Sequence, residues 1–444
     1  MKVAKFGGTS MANAQCINRV KNCVFADEKI HFVVVSAPGK REKTDTKVTD
    51  LLYKCFDSIK YGAGVKESVK PVMDRFSSIV EELGVDFDLN AEFSSIRNRI
   101  EHGASLDYVV SRGEYLSAKI TAIYFGWQFI DATDIIKFDE DGNFDAEFTN
   151  KIASKLLANV SHAVIPGFYG AMPDGSIKTF SRGGSDITGS IIARAIDAEI
   201  YENWTDVDGF LKCDPRVVEN PELIDLLTYK ELRELSYMGA NVLHPDSIFP
   251  VRKNDIPINI RNTFNPSAKG TLIVPTNHFL DGLYTRKDSV ITGIAGKKDF
   301  IGIFIEKSMM ESELGFVRKV LNVIENNNLS FDHIPTGIDT MTIIMDGHQI
   351  SEDVLRKVVF EIENVCDPDH IYIIRNLALI AVVGHGMSKK VGSACKVFES
   401  LASANVNVKM IDQGSSELNI IISVDNSDYE KALTALYNGL VNEK

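Results

Sequence analysis

Slid along itself by about 77 positions, the last third of this chain meets its own pattern. Met310 falls on Met387, Gly315 on Gly392, Val320 on Val397, Asn328 on Asn405, Ile334 on Ile411, Gly337 on Gly414 and Ile343 on Ile420, all without a gap. Self-similarity of that kind means one supersecondary unit used twice. Each copy reads strand, helix, strand, strand, helix. In the first copy these are 300–305, 315–327, 330–334, 341–345 and 352–365, and Ile371–Ile374 adds a closing strand. The second copy ends on a helix at 428–440. Val290–Ala295 is a spare strand just upstream, and the need to pair an exposed sheet edge predicts that it completes the second copy's sheet.

The first 275 residues follow a different rule. Short apolar runs at Val3–Phe6, Phe32–Ser36, Phe129–Asp131, Ala163–Pro166, Glu199–Trp204 and Pro257–Ile260 alternate with longer helical patterns. Most of these runs are continuously apolar instead of alternating, which suits strands covered on both faces by helices in a mostly parallel sheet. From Thr49 to Ser111 lies a long polar helical stretch without strands, read as an excursion over the site with solvated faces. The segment 275–289 carries turn formers and charge and reads as a linker. The predicted division is therefore 1–275, a linker with a shared strand over 276–295, then repeat units at 296–375 and 376–444.

Composition narrows the functional classes. A net charge of −13 disfavours nucleic acid or an anionic membrane as the main partner, because both reward clustered Lys and Arg. There is no apolar run long enough to span a bilayer and no secretory apolar segment near the start, so a cytoplasmic location is expected. Cys16, Cys23, Cys55, Cys213, Cys366 and Cys395 are scattered without a metal-ligand spacing, and read as reduced, mostly buried small residues. No metal site is predicted from side chains alone.

Chemistry concentrates at the ends of the apolar runs. Lys5-Phe-Gly-Gly-Thr-Ser10 places a cation and two glycines at the end of the first run. Gly7 and Gly8 let backbone N–H groups approach an anion, and Thr9 and Ser10 add hydroxyls. The spacing is not that of a Walker A loop, and a Gly-Gly turn after a strand is also ordinary punctuation. Arg182-Gly-Gly-Ser-Asp186 opens a helical pattern, with an arginine able to grip a carboxylate or phosphate and Ser185 or Asp186 able to cap the helix. Thr205-Asp206 and Phe210, then Asp214-Pro-Arg216, follow another run. The aspartates suit ribose hydroxyls or a metal-bound water, Phe210 a base and Arg216 phosphates, although Asp-Gly and Asp-Pro are also common turn dipeptides. Thr49-Asp50 and Ser111-Arg-Gly-Glu114 form further polar clusters, Glu114 being a candidate for a substrate ammonium. His244 reads as a structural histidine at a helix end.

In this order, with Gly239-Ala-Asn-Val-Leu-His-Pro245 added, these motifs resemble the aspartokinases, amino acid kinases with C-terminal ACT domains. The resemblance covers nearly the whole chain. It implies an α/β fold: a three-layer αβα catalytic domain with a mostly parallel sheet, then two βαββαβ, ferredoxin-like ACT domains. It further implies transfer of the γ-phosphoryl group of ATP, with Mg²⁺, to the side-chain carboxylate of L-aspartate. That is the first step toward lysine, threonine and methionine.

Residue by residue, the resemblance assigns Lys5 and Asp186 to catalysis. ATP falls to Lys5, Gly7, Gly8, Thr205, Asp206, Phe210, Arg216 and Asn241, and aspartate to Thr49, Glu114, Arg182 and Ser185. Asn241 stands where many relatives carry a lysine, so only amide hydrogen bonding remains there. Because the acceptor carboxylate is ionised at neutral pH, Asp186 is expected to orient Lys5 or the metal shell and not to act as a base. For the ACT pair the resemblance implies feedback by lysine, with threonine as the other effector, at Met310, Phe316, Val317, Ser330, Asp332 and Thr336. It also implies a homodimer, or a dimer of dimers, through these domains. The competing readings are another amino acid kinase, acting on glutamate, acetylglutamate, carbamate or UMP, and a non-catalytic effector-binding regulator.

Overall fold

The computed structural model describes residues 1–181, 183–240, 242–286 and 290–441. They form two units whose division does not follow the chain. The first takes Met1–Phe210, Asp225–Leu232 and Asn241–Thr285; the second takes Leu211–Ile224, Arg233–Ala240 and Arg286–Lys444.

The first unit is built on an eight-stranded sheet. Its strands are β1 (Lys2–Phe6), β2 (Ile30–Val35), β3 (Gln128–Phe129), β4 (Ala163–Pro166), β7 (Ile200–Thr205), β8 (Leu226–Thr228), β9 (Ile258–Asn262) and β10 (Thr271–Val274). A small separate hairpin pairs β5 (Tyr169–Ala171) with β6 (Ile177–Thr179). The order β3-β4-β2-β1-β7-β9-β10-β8 is parallel throughout except for the antiparallel β9/β10 pair. Strand β1 lies centrally between β2 and β7 and is almost wholly buried, which explains why Val3, Ala4 and Phe6 are all apolar. The polar stretch after Thr49 forms the helices Val48–Lys60, Val65–Leu83 and Leu89–Glu101. Their charged faces meet solvent, but Leu52, Val72, Phe76, Phe93 and Ile96 enter the same core as β1 and β2. The stretch is amphipathic, with one apolar stripe per helix turning inward.

The second unit carries a five-stranded antiparallel sheet in the order β12-β11-β13-β15-β14. Here β11 is Gly293–Glu306, β12 Thr340–Asp346, β13 His370–Val383, β14 Met410–Asp412 and β15 Asn419–Asp425. The two copies share strands: β11 and β13 each run 14 residues. The first half of β11, Gly293–Lys297, pairs with Leu379–Val383 of the second copy, while Phe300–Glu306 pairs with β12 and with the first half of β13. The spare strand expected at Val290–Ala295 is thus the opening of a strand that continues into the first copy. Asp299 and Asn376, both at positive φ, mark the joins where the register shifts.

Gly315 and Gly392 hold φ of 81° and 88°, and Asn328 and Asn405 hold 52° and 51°. The repeated residues therefore sit at matching left-handed turns, where Gly and Asn carry the least steric cost. The strand expected at 330–334 is reduced to isolated bridges, His333 with Ile344 and Thr336 with Met341. Pro335 breaks it, having no N–H to give the ladder.

Each copy has its own core, and the second copy's core also takes in Cys213 and Val218 from the segment Leu211–Ile224. The predicted linker contains a short helix, Thr276–Leu280. Among the described residues no helix is long and apolar enough to cross a membrane. Four of the six cysteines are buried, Cys16 is half-buried, Cys395 is exposed, and all are free.

Candidate active site

At the carboxyl ends of β1 and β2 a cavity of about 290 Å³ opens in the first unit. Lys5, Gly8, Thr9, Ala37, Lys47, Thr49, Glu114, Ser185 and Asp186 all line it. Segments far apart in sequence converge here because the parallel strands of the sheet deliver their carboxyl ends to one edge.

The glycine turn after β1 is tightly fixed. The Gly7 N–H donates to the Trp204 carbonyl at 3.1 Å and so belongs to the sheet, contrary to the expectation that it faces a phosphate. The Gly8 carbonyl accepts from Gly39 N–H at 2.8 Å, and a Cβ on Gly39 would lie 2.6 Å from the Gly8 carbonyl carbon. Gly8 opens a short 3-10 helix, Gly8–Met11, whose first N–H groups have no intrahelical acceptor. Those of Gly8 and Thr9 are the ones left for an anion. Beneath the 39–46 loop, Arg75 is buried and bonded to the Gly39 and Thr46 carbonyls and to Asp45. Hydrogen bonds from Arg41, together with Arg75, hold the Asp45 carboxyl well below the usual carboxylate range.

Lys5 and Asp186 meet across the cavity, Nζ to Oδ1 at 2.5 Å, with side chains only 9% and 16% exposed. Asp186 sits in the first turn of the helix Gly184–Ala195, preceded by Gly183 in the left-handed region at φ 60°. A Cβ on Gly183 would fall 2.4 Å from the His244 Cβ, so glycine is required where His244 packs. His244 itself caps Pro245–Ser247, accepting from Asp246 N–H, which agrees with a structural role.

Glu114 enters from the long buried helix Leu106–Phe125, where Gly113 allows close approach: a Cβ there would lie 2.8 Å from the Ala37 Cβ. The carboxyl is buried and its Oε2 has no hydrogen-bond partner. Burial pushes its pKa up to about 8, against the opposing pull of backbone donors and of Arg112. Arg112 is itself enclosed by the rings of Tyr108, Tyr115 and Tyr169.

The other expected nucleotide residues are distributed differently. Thr205 ends β7 and donates to Asp206, which follows it, Oγ1 to Oδ1 at 3.2 Å. Phe210 is 1% exposed, its N–H bonded to Thr271, so its ring is core and does not present a face to a base. Arg216 belongs to the second unit, where it is exposed and forked onto Asp214. Arg182 and Asn241 lie outside the described residues. Among the described residues no group of three or more His, Cys, Asp or Glu is placed to hold a metal.

Of the expected effector residues, Met310 and Phe316 are core of the first copy and Val317 is partly exposed. Ser330 donates to Gln349 and Thr336 to the Ile334 carbonyl. Asp332 already accepts a hydrogen bond from the Tyr237 hydroxyl. The motif reading passed over Lys47, Tyr201 and Asn203. For Asn203 the available signal was a polar amide inside an apolar strand.

Comparison with known proteins finds relatives along nearly the whole chain. The model of the amino acid kinase family matches residues 1–262, and an ACT domain model matches 380–440. Aspartokinase 3 of Bacillus subtilis is 38% identical over 98% of both chains. The crystal structure of Clostridium acetobutylicum aspartate kinase is 46% identical, with a TM-score of 0.93 over 99% of this chain and 100% of that one. Escherichia coli aspartokinase III, solved with aspartate and ADP, is 26% identical with a TM-score of 0.78 over 99% of each chain. The same enzyme solved with lysine and aspartate gives a TM-score of 0.76, again at 26% identity and 99% coverage of each chain. This chain belongs to the amino acid kinase family, and within it to the aspartokinases.

Proposed function

We infer that this chain is an aspartate kinase, moving the γ-phosphoryl group of ATP onto the side-chain carboxylate of L-aspartate to give 4-phospho-L-aspartate and ADP. The observation that carries the reading is the single cavity where Lys5, Gly8, Thr49, Glu114, Ser185 and Asp186 converge from distant parts of the sequence. Aspartokinase III of E. coli, related over almost the whole length, has been solved with aspartate and ADP.

The chemistry asks for little proton movement. A carboxylate oxygen of aspartate forms the new P–O bond, the bond to the β-phosphate bridging oxygen breaks, and ADP leaves. The nucleophile is already ionised, so the barrier is dominated by bringing two anions together. Lys5 would neutralise the transferring group, with the N–H groups of Gly8 and Thr9 as fixed donors. Arg182 would hold an aspartate carboxylate, Glu114 its ammonium, and Thr49 and Ser185 would add hydroxyl contacts. Asp186, ion-paired to Lys5, would orient that ammonium. Thr205 and Asp206 would meet the ribose side of the nucleotide, with Asn241 offering an amide. Mg²⁺ carried by the nucleotide phosphates would supply further charge neutralisation, with Asp186 the carboxylate beside Lys5 that fits its shell.

Lysine is the effector this reading favours, with Asp332 as partner for its ammonium. The related E. coli enzyme has been solved with lysine bound. ACT-mediated dimers belong to the same proposal. The test is trapping of the acyl phosphate with hydroxylamine in the presence of aspartate and Mg-ATP, with and without millimolar lysine. Hydroxamate should form with the native chain and not with Lys5→Ala. Hydroxamate formed with glutamate and not aspartate would overturn the assignment.

A further inference from the structure

We propose that Asn203 is a positioning residue for phosphoryl transfer, holding the Asp186 carboxylate so that the Lys5 ammonium stays aimed into the cavity. The inference rests on the active-site reading above and extends it to a residue that touches neither substrate.

Strands β1 and β7 are parallel neighbours, and Lys5 stands opposite Asn203 in their register. Paired residues of a parallel sheet project to the same face. Both side chains therefore rise toward the first turn of the helix Gly184–Ala195. Asn203 is 2% exposed, in a strand whose neighbours are buried, so its amide must find partners inside the protein. It finds them around Asp186. Its Nδ2 donates to Asp186 Oδ1 at 2.8 Å and to the Tyr201 hydroxyl at 3.3 Å. The Tyr201 hydroxyl in turn donates to the Asp186 backbone carbonyl at 3.0 Å. A Cβ on Gly189 would fall 2.5 Å from that hydroxyl, so a glycine one turn along the helix is what lets the helix seat on Tyr201.

One oxygen of Asp186 thus receives two donors, the charged one from Lys5 and the neutral one from Asn203. The neutral donor matters when the cavity fills. Two anionic substrates repel the Asp186 carboxylate and attract the Lys5 ammonium, both of which pull the ion pair apart. A carboxylate held by Lys5 alone would turn away as the ammonium leaned toward phosphate. Asn203 carries no charge to be drawn off and is locked by burial, so it fixes the carboxylate independently of where Lys5 leans. Preorganised dipoles of this kind lower the reorganisation needed at the moment of reaction.

Asn203→Leu keeps the branched shape of the side chain, at a somewhat larger volume, and removes the donor. We expect kcat to fall about 10- to 100-fold while KM for aspartate stays within about threefold, since the substrate's own partners are untouched. The decisive reading is a cycle with Asp186→Asn, followed as hydroxamate accumulated over hours so that residual turnover is counted. In that background Asn203→Leu should cost less than about twofold, because the group it positions has already been changed. Equal fold losses in both backgrounds, or an unchanged kcat for Asn203→Leu alone, would overturn the proposal. If Asn203→Leu does not fold, as judged by its melting transition, Asn203→Ser, too short to reach Asp186, is read against the same two criteria. A Lys5→Ala turnover within about tenfold of the native chain's would instead sink the active-site reading itself.

Discussion

Under the proposed function, the cavity in the first unit and the 330–336 loop in the second both present charge to a ligand, and they do so in opposite ways. In the cavity, Lys5 and Asp186 are largely withdrawn from water and braced by neighbours that cannot easily move. In the loop, Asp332 is hooked by the hydroxyl of Tyr237, a side chain half exposed to solvent. In that reading the difference separates catalysis from regulation. A catalytic charge gains from being unable to relax, because each rearrangement adds to the barrier. A regulatory charge must exchange partners, so its resting bond has to be one that a ligand can replace.

The internal repeat sharpens the contrast. At the positions equivalent to Asp332 and Ser330 the second copy carries Lys409 and Asn407. The same fold is therefore present twice with the sign of the charge reversed, and only the first copy offers an ammonium a carboxylate at that point. The helix Tyr229–Tyr237 is itself divided, with Tyr229–Leu232 in the first unit and Arg233–Tyr237 in the second.

The comparison can be broken most directly at Lys5. Lys5→Ala should lower kcat by about a thousandfold or more in a coupled ADP assay, because the cation facing the transferring phosphoryl is lost. A loss of less than tenfold would mean that the cavity's charges are as replaceable as the loop's. In the loop, Asp332→Ala should raise the lysine concentration needed for half-inhibition by at least about 20-fold while leaving kcat without lysine within about twofold. Lys409→Ala should leave the lysine response unchanged in the same titration.

A smaller effect follows from Glu114. Its carboxyl is pushed up to about 8, so at pH 7 most of the free enzyme holds it neutral and unable to pair with an ammonium. KM for aspartate should fall about tenfold between pH 7 and pH 9, and Glu114→Gln should abolish that dependence. The stability counterpart has a definite sign. A carboxyl whose folded pKa lies above its unfolded value binds more protons when folded, so its contribution to stability declines as pH rises from about 4.5 to about 8. Glu114→Gln should therefore melt higher than the native chain at pH 8.5, with the advantage shrinking toward pH 5.

The smallest effect is expected at Tyr237. Tyr237→Phe removes the competitor for Asp332 and should make lysine inhibit at about three- to tenfold lower concentration, measured by the same titration. A weaker lysine response would show that the hydroxyl assists the effector and does not compete with it.

Much of this architecture was legible in the residues. Short, mostly apolar runs located β1, β2, β4, β7 and β9 to within about two residues, since strands buried on both faces are dominated by apolar residues. The repeat could be read because its turns need left-handed residues, and Gly and Asn recur there. What periodicity could not convey was strand length across a join. The sheet shared by the two copies depends on β11 and β13 running past Asp299 and Asn376, where local propensity signals a turn.

The motifs named the chemistry of the cavity, and burial decided which groups could use it. Phe210 had the type of a base-stacking residue but faces the core, while the Gly7 N–H is spent on the sheet. Residue types and their order were enough to specify a kinase-like sheet, a glycine turn beside a lysine, and a doubled regulatory unit. Which carboxylate holds Lys5, which amide steadies that carboxylate, and which hydroxyl occupies Asp332 were decided only by the folded chain. Those pairings join residues as many as 181 positions apart, and their energies depend on how much water the fold removes from between them.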